Sequence, residues 1–361
     1  MEFLPLLTAG WIAVSAVGLI PRIGPGRAVS VALRSRFAFK PVHVSLRLTE
    51  INLLKRKIAD KDFGQGYLVV AGDKGVGKTC LLATVTSKTP GVTFVEAHPK
   101  DDENRIIKNT LQRLTRINYD FIPPFNSARR IVFWYRFFTL GRSPIIVINA
   151  TERKAGQEYA GLTGAVRTLV DKYKLRVVVD GSANFLDETL LRTKGQSVIY
   201  IKPMTKEMIW QIEQLQDLFK YVKEADLDDT VFAVLGGIPA EYEQIWSNAK
   251  TDLRDGKNPR QVIGSCLCAE IFAAIKVVTN AQDTKEIIKL FDKNVIPRHL
   301  LNDMKLKRPT PDMVFCEVER DGIPVLIPAS NSIGIVLHHS LRKEPTLNEL
   351  EELLKTWRLH E

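Results

Sequence analysis

The stretch Gly72–Thr79, GDKGVGKT, restricts this chain more than any other. It has the spacing G-x-x-x-x-G-K-[ST], directly behind the apolar run YLVVA and ahead of CLLATVTSK. Gly72, Gly75 and Gly77 can take backbone angles that a side chain forbids, so successive N–H groups can turn inward around one anion. Asp73, Lys74 and Val76 would contribute backbone to that bend. Lys78 would reach the outer phosphates of a nucleotide, and the Thr79 hydroxyl would ligate Mg²⁺. Cys80 follows at the start of a helix whose N-terminal dipole favours negative charge. Such a loop needs a strand before it and a helix after it, and both are legible. The ligands implied are ATP or ADP with Mg²⁺.

Apolar runs alternate with helical spacing around this loop. The runs are YLVVA (67–71), VTFVEA (92–97), IIVIN (145–149), RVVVD (176–180) and SVIYI (197–201). Helical patterns fill about 80–88, 101–118, 126–140, 158–174 and 186–193, and SLRLTEINLLKRKIAD before them has Leu48, Ile51, Leu54 and Ile58 at helical spacing. Continuous Val/Ile runs belong to strands buried on both faces, so the pattern predicts an α/β fold with a five-stranded parallel sheet. The glycine bend falls at the carboxyl edge, where ligands bind in such sheets. Beyond residue 203 the strand pattern stops. MTKEMIWQIEQLQDLFKYV, DDTVFAVL, PAEYEQIWSNAK and PRQVIGSCLCAEIFAAIKVV read as helices of a lid. DMVFCEVERDGIPVLIPA reads as two strands joined at Asp321–Gly322, with helices at 284–305 and 346–357, a winged-helix-like arrangement. The division expected is 1–44 as an anchor or targeting segment, 45–203 as the nucleotide-binding domain, 204–280 as the helical lid and 281–361 as the winged module.

Charge bears on partners. The net charge is +10, but residues 1–60 hold nine Lys or Arg against three acids, and the remainder 42 against 38. A body so nearly balanced does not advertise a nucleic-acid surface. The four cysteines, Cys80, Cys266, Cys268 and Cys316, have neither disulfide-framework nor zinc spacing. From Phe3 to Ile20, FLPLLTAGWIAVSAVGLI carries no charge, and Arg22, Arg27, Arg34, Arg36, Lys40 and Arg47 follow with no acid before Glu50. That stretch is long enough for a single-pass N-terminal anchor holding the body on the cytoplasmic or mitochondrial-matrix side. A cleaved secretory signal and a mitochondrial address are the alternatives.

A magnesium–nucleotide site also needs an acid at the end of a neighbouring strand. SPIIVINATER ends its strand at Asn149, with Glu152 three residues on, and LRVVVDGSANF ends at Asp180. By chain order the first run occupies the usual place of the metal-binding acid but carries an amide. Asn149 can orient a metal-bound water but brings no charge. Glu152 and Asp180 are therefore the candidates for catalysis, and Thr79 and Asn149 for the metal.

The glycine loop, IIVINATER, VVVDGSANF and LGGIPAEY (235–242) together resemble the AAA+/STAND-type P-loop ATPases of the archaeal-ATPase branch. ATPase domains of fungal and oomycete Crinkler-type proteins are similar. The resemblance spans about 45–340. It implies that Gly236, Gly237 and Pro239 form the Gly-x-Pro element by which a helical lid packs on nucleotide. An arginine finger is also implied, for which Arg153 and Arg192 are candidates by position. Asn149 departs from the pattern. The functions that follow are a membrane-tethered ATPase, a nucleotide-gated switch with little hydrolysis acting on a protein partner or by self-association, and a secreted effector acting on nucleic acid.

Overall fold

The computed structural model describes residues 46–59, 66–72, 75–87, 89, 91–115, 125–139, 141–150, 159, 161–181, 197–280, 296–297, 315–320, 323–328 and 330–358. The apolar stretch 3–20 with its basic flank as far as Lys40, the helix expected at 186–193, and Asp73, Lys74, Glu152, Arg153 and Arg192 lie outside the described residues.

Helix α1 (Leu48–Ala59) precedes an alternating series of β1 (Tyr67–Gly72), α2 (Lys78–Thr86), β2 (Val92–Ala97), α3 (Glu103–Thr115), α4 (Phe125–Phe138), β3 (Ile145–Ala150), α5 (Leu162–Asp171), β4 (Arg176–Gly181) and β5 (Ser197–Ile201). The five strands are parallel in the order β2-β3-β4-β1-β5. Side chains alternate between faces along each strand. Leu68, Val70, Val147, Val178 and Ile199 pack with Leu81, Leu82 and Val85 of α2 and Leu54 and Ile58 of α1. Val69, Ala71, Ile146, Ile148, Val177 and Val179 pack the other way, on α3, α4 and α5. Each face has its own helices, so neither set of positions needs polar residues, and the central strands β1, β3 and β4 have unbroken apolar runs in YLVVA, IIVI and VVV.

A helical region follows, with α6 (Lys206–Trp210), a 3₁₀ turn at Glu213–Leu215, α7 (Gln216–Glu224), α8 (Asp228–Leu235), α9 (Pro239–Arg254) and α10 (Pro259–Asn280). The single helical stretch expected over 204–222 is broken in its middle. Gln216 Nε2 donates to the carbonyls of Trp210 and Ile212 at 2.8 and 3.2 Å, satisfying groups the break would orphan.

Strands β6 (Ile296–Pro297), β7 (Phe315–Arg320) and β8 (Ile323–Pro328) form an antiparallel sheet ordered β6-β8-β7. Arg320 pairs with Ile323, so the β7–β8 connection falls at the two residues expected. Ile296–Pro297 is extended and pairs with β8 where a helix over 284–305 was expected. Proline lacks a donor and pushes its predecessor out of the helical region. The rest of that stretch lies outside the described residues.

Helix α11 (Asn331–His339) has no counterpart in the expectations, and α12 (Leu347–Arg358) matches the one at 346–357. Ile335, Val336, Leu337, Leu350, Leu354 and Trp357 join Leu218, Val231, Leu235, Ile263, Leu267 and Ile271 in one buried cluster. Helices before and after the small sheet therefore share a core. Arg260 on α10 clamps the two parts, donating to both Glu351 oxygens at 2.7 and 2.9 Å.

Candidate functional site

The loop between β1 and α2 opens at the carboxyl edge of the sheet. Gly77 caps α2 with φ 97° and no side-chain cap, leaving the first-turn N–H groups without a competing side-chain acceptor at the cap. Lys78 is nearly buried, and its Nζ donates to the Gly72 carbonyl at 3.0 Å. The Thr79 hydroxyl donates to Asp180 Oδ2 at 2.6 Å. Asp180 is 1% exposed. Burial drives its pKa up, against the opposing pull of Lys78 and the Thr79 hydrogen bond.

Strand order decides which candidate acid approaches Thr79. β4 lies between β1 and β3, so Asp180 stands beside β1, in register with Val70. Asn149 is in register with Asp180, and Glu96 at the end of β2 is in register with Asn149. Registered residues of parallel strands point to one face, and Val70, Val147 and Val178 fix that face as the side of α2. Asp180, Asn149 and Glu96 thus step outward from Thr79 at an interstrand spacing of about 4.8 Å. The row runs acid, amide, acid. Glu96, exposed at the tip of β2, was not anticipated. Its signal was a polar residue closing an apolar run on the face of Val92 and Phe94.

A second unanticipated residue lies behind the loop. Arg47 is 2% exposed and donates to the carbonyls of Lys202 at 2.9 Å and Val76 at 3.2 Å, and to Glu50 at 3.2 Å. Burial lowers its pKa while Glu50 raises it; a guanidinium remains charged regardless. In a trans peptide the carbonyl and the following N–H point oppositely. Arg47 therefore fixes the Val76–Gly77 peptide with the Gly77 N–H turned away from it. Arg47 closes the Arg- and Lys-rich flank and would not stand out by pattern.

The helical region covers the loop directly. Gly75 has φ 78°, and a Cβ there would meet the Ala240 Cβ at 2.7 Å and Ile238 Cγ2 at 3.0 Å. Ala240 belongs to the first turn of α9, which begins at buried Pro239 and has no side-chain cap at Ile238. Two helices with uncapped N-termini, α2 and α9, therefore meet across Gly75. Gly237 accounts for how α9 is aimed. Its carbonyl accepts from Met204 N at 2.8 Å, and a Cβ would lie 1.9 Å from the Met204 carbonyl oxygen. Tyr242 Oη donates to the Gly236 carbonyl at 2.8 Å, stapling the same turn from beneath. Cys80 is half-buried, and burial together with Glu243 of α9 and Asp180 pushes its thiol up in pKa, so it stays protonated.

Among the described residues no group of three or more His, Cys, Asp or Glu could hold a metal by itself. The Thr79 hydroxyl and the Asp180 carboxylate are adjacent hard oxygen donors, which suits Mg²⁺ completed by nucleotide phosphate oxygens and water. Asn149 is one strand farther out and could orient such a water.

A five-stranded parallel sheet with this loop at the end of β1 is an α/β P-loop nucleotide-binding fold. No family model matches the chain, and no curated protein matches it. Among solved structures it is similar to a Walker-type ATPase of Pyrococcus abyssi, at 14% identity and a TM-score of 0.47 over 81% of this chain and 95% of that one. It is also similar to Drosophila ORC bound to DNA, at 13% identity and 0.40 over 88% and 91%. Cdc6p from Pyrobaculum aerophilum is a third, at 12% identity and 0.40 over 91% and 98%.

Proposed function

We propose that the chain is an ATP-binding P-loop NTPase of the AAA+/STAND type, in which nucleotide held at Gly72–Cys80 sets the position of the helical region and so controls a partner. The observation that carries this reading is the Thr79–Asp180 hydrogen bond of 2.6 Å, formed beside a loop that the first turn of α9 covers. Lys78 would move from the Gly72 carbonyl to the outer phosphates. Gly77 N–H, held outward from Arg47, and the first turn of α2 would donate to them. Mg²⁺, when bound, would neutralise phosphate charge, with Thr79 and Asp180 as its protein ligands. Phosphate entering beside Gly75 would displace Ala240 and Ile238, and α9 transmits that displacement to the helices packed on it.

Calorimetry of the full chain tests this. Binding of MgATP and MgADP is expected, weakened about 30-fold or more in Lys78→Ala. No binding heat from folded protein would remove the reading.

The second reading, a switch with little hydrolysis, is favoured by one feature. β3 ends in Asn149 and Ala150, so among the described residues its carboxyl end offers an amide where an acid would activate water. Phosphate release separates the two. Turnover that falls in Glu152→Gln or Glu96→Gln supports an ATPase, and tight binding without release supports a switch.

In the same proposal residues 3–20 form a single-pass membrane anchor with the body in the cytoplasm or mitochondrial matrix. The strands at 315–328 form a winged-helix-like part, and the partner is a protein or a second copy. The alternative is a secreted Crinkler-like effector.

A further inference from the structure

Helix α4 carries exposed aromatic side chains that the nucleotide reading does not use. Its Ala128, Ile131, Val132 and Tyr135 are buried toward the sheet domain. At 100° per residue the six other positions from Arg129 to Phe137 fall in one arc, in the order Arg136, Arg129, Phe133, Phe137, Arg130, Trp134. Phe133 and Phe137, at its centre, are 62% and 66% exposed. Trp134 meets both edge to face, with ring centroids 5.7 and 5.8 Å apart, making a compact aromatic wedge. Around the helix, Arg129 and Arg130 border the phenylalanine pair on its two sides, with Trp134 beyond Arg130, and Arg142 follows the helix. No Asp or Glu occurs between residues 121 and 151.

We propose that this face rests on an anionic phospholipid surface, with Phe133 and Phe137 entering the headgroup–acyl boundary and the arginines meeting lipid phosphates. An apolar centre bordered by cations, on a stretch of chain that carries no acid, is the arrangement an interfacial helix requires. Single-stranded nucleic acid fits less well, because it stacks bases on open ring faces. Here interplanar angles of 78° and 82° turn ring edges against faces within the wedge itself. A second copy fits less well too, since a two-fold contact through this face would set arginines against arginines. The inference stands apart from the nucleotide reading and from the fate of residues 3–20.

The test uses the full chain on vesicles of phosphatidylcholine with or without phosphatidylserine, carrying brominated acyl chains. Quenching of Trp134 is taken as the difference between the wild type and Trp134→Phe, which isolates α4 from any insertion of the N-terminus. Quenching is expected on the phosphatidylserine vesicles and should fall with added salt. The concentration of lipid needed should rise about tenfold or more in Phe133→Glu/Phe137→Glu, with the thermal midpoint and nucleotide binding unchanged. Loss of one arginine, Arg130→Gln, should raise it about fivefold. An unquenched Trp134 on vesicles that carry the bound chain overturns the proposal. So does a Trp134 signal that responds to a single-stranded oligonucleotide or to protein concentration instead of lipid.

Discussion

Asp180 is placed where two demands conflict. Its carboxylate is buried against the Thr79 hydroxyl, ready for a cation, yet without one it is costly to ionise. Because burial raises its pKa in the folded state, the folded protein holds that proton more tightly than the unfolded chain does. At pH below the ordinary aspartate value both states are protonated and the site costs nothing. As pH rises through the raised pKa, folded-state stability falls. Asp180→Asn is therefore expected to raise the thermal midpoint of the nucleotide-free protein at neutral pH, with the difference shrinking toward zero in acid. Calorimetric scans across pH measure this, and the same variant should lose the Mg²⁺-dependent part of its ATP affinity. Arg47 makes a complementary case. Arg47→Ala removes three acceptors' partner at a buried position and should cost about 2–3 kcal/mol in chemical denaturation, with ATP affinity falling about tenfold as the Val76–Gly77 peptide loosens. Arg47→Lys should rescue little, because one ammonium cannot span carbonyls on both the loop and Lys202, just after β5.

Helix α9 owes its aim to the turn before it. Pro239 begins the helix, while Gly237 lies so close to Met204 that no side chain fits. Gly237→Ala is expected to destabilise by about 3 kcal/mol, read as a lower denaturation midpoint, because the obstructing atoms are backbone and cannot swing aside. If the midpoint is unchanged, the turn is not what fixes α9. Helix α10 shows how packing overrides composition. Pro259–Thr279, 21 residues long, is apolar enough to cross a bilayer. In this fold α7, α9, α11 and α12 surround it, and its Ile263, Leu267, Ile271 and Ile275 are core residues.

Across the molecule the buried residues divide between the two faces of the sheet and the helical region. The helical core is assembled from chain segments before and after the small sheet, so its last helix is structural. Trp357, 5% exposed, packs edge to face on His338. Trp357→Ala should cost about 3–5 kcal/mol in the helical region while the sheet retains its structure. Hydrogen exchange would show this as protection lost over 204–280 and 331–358 and kept in β1, β3 and β4. Uniform loss everywhere would mean that the sheet and the helical core unfold as one unit.

All five strands of the sheet and the helix behind the glycine bend were legible because local rules suffice for them. A central strand covered on both faces must be continuously apolar, and a phosphate-binding turn must have glycines where side chains would collide. The break in the 204–222 helix and the extended Ile296–Pro297 were not foreseen, since long-range hydrogen bonding and pairing set them. Helix α11 was missed because IGIVL, buried on nearly every side, shows no polar stripe. Chain order alone pointed to Asn149 as the residue at the metal position and left Glu152 and Asp180 as competing acids. Insertion of β4 between β1 and β3 put Asp180 against Thr79, and no local pattern encodes which strand is a neighbour. Local chemistry was enough to write the anion-binding bend into the chain. The acid that serves it depends on strand order, because a distance between residues 101 positions apart exists only once the sheet has formed.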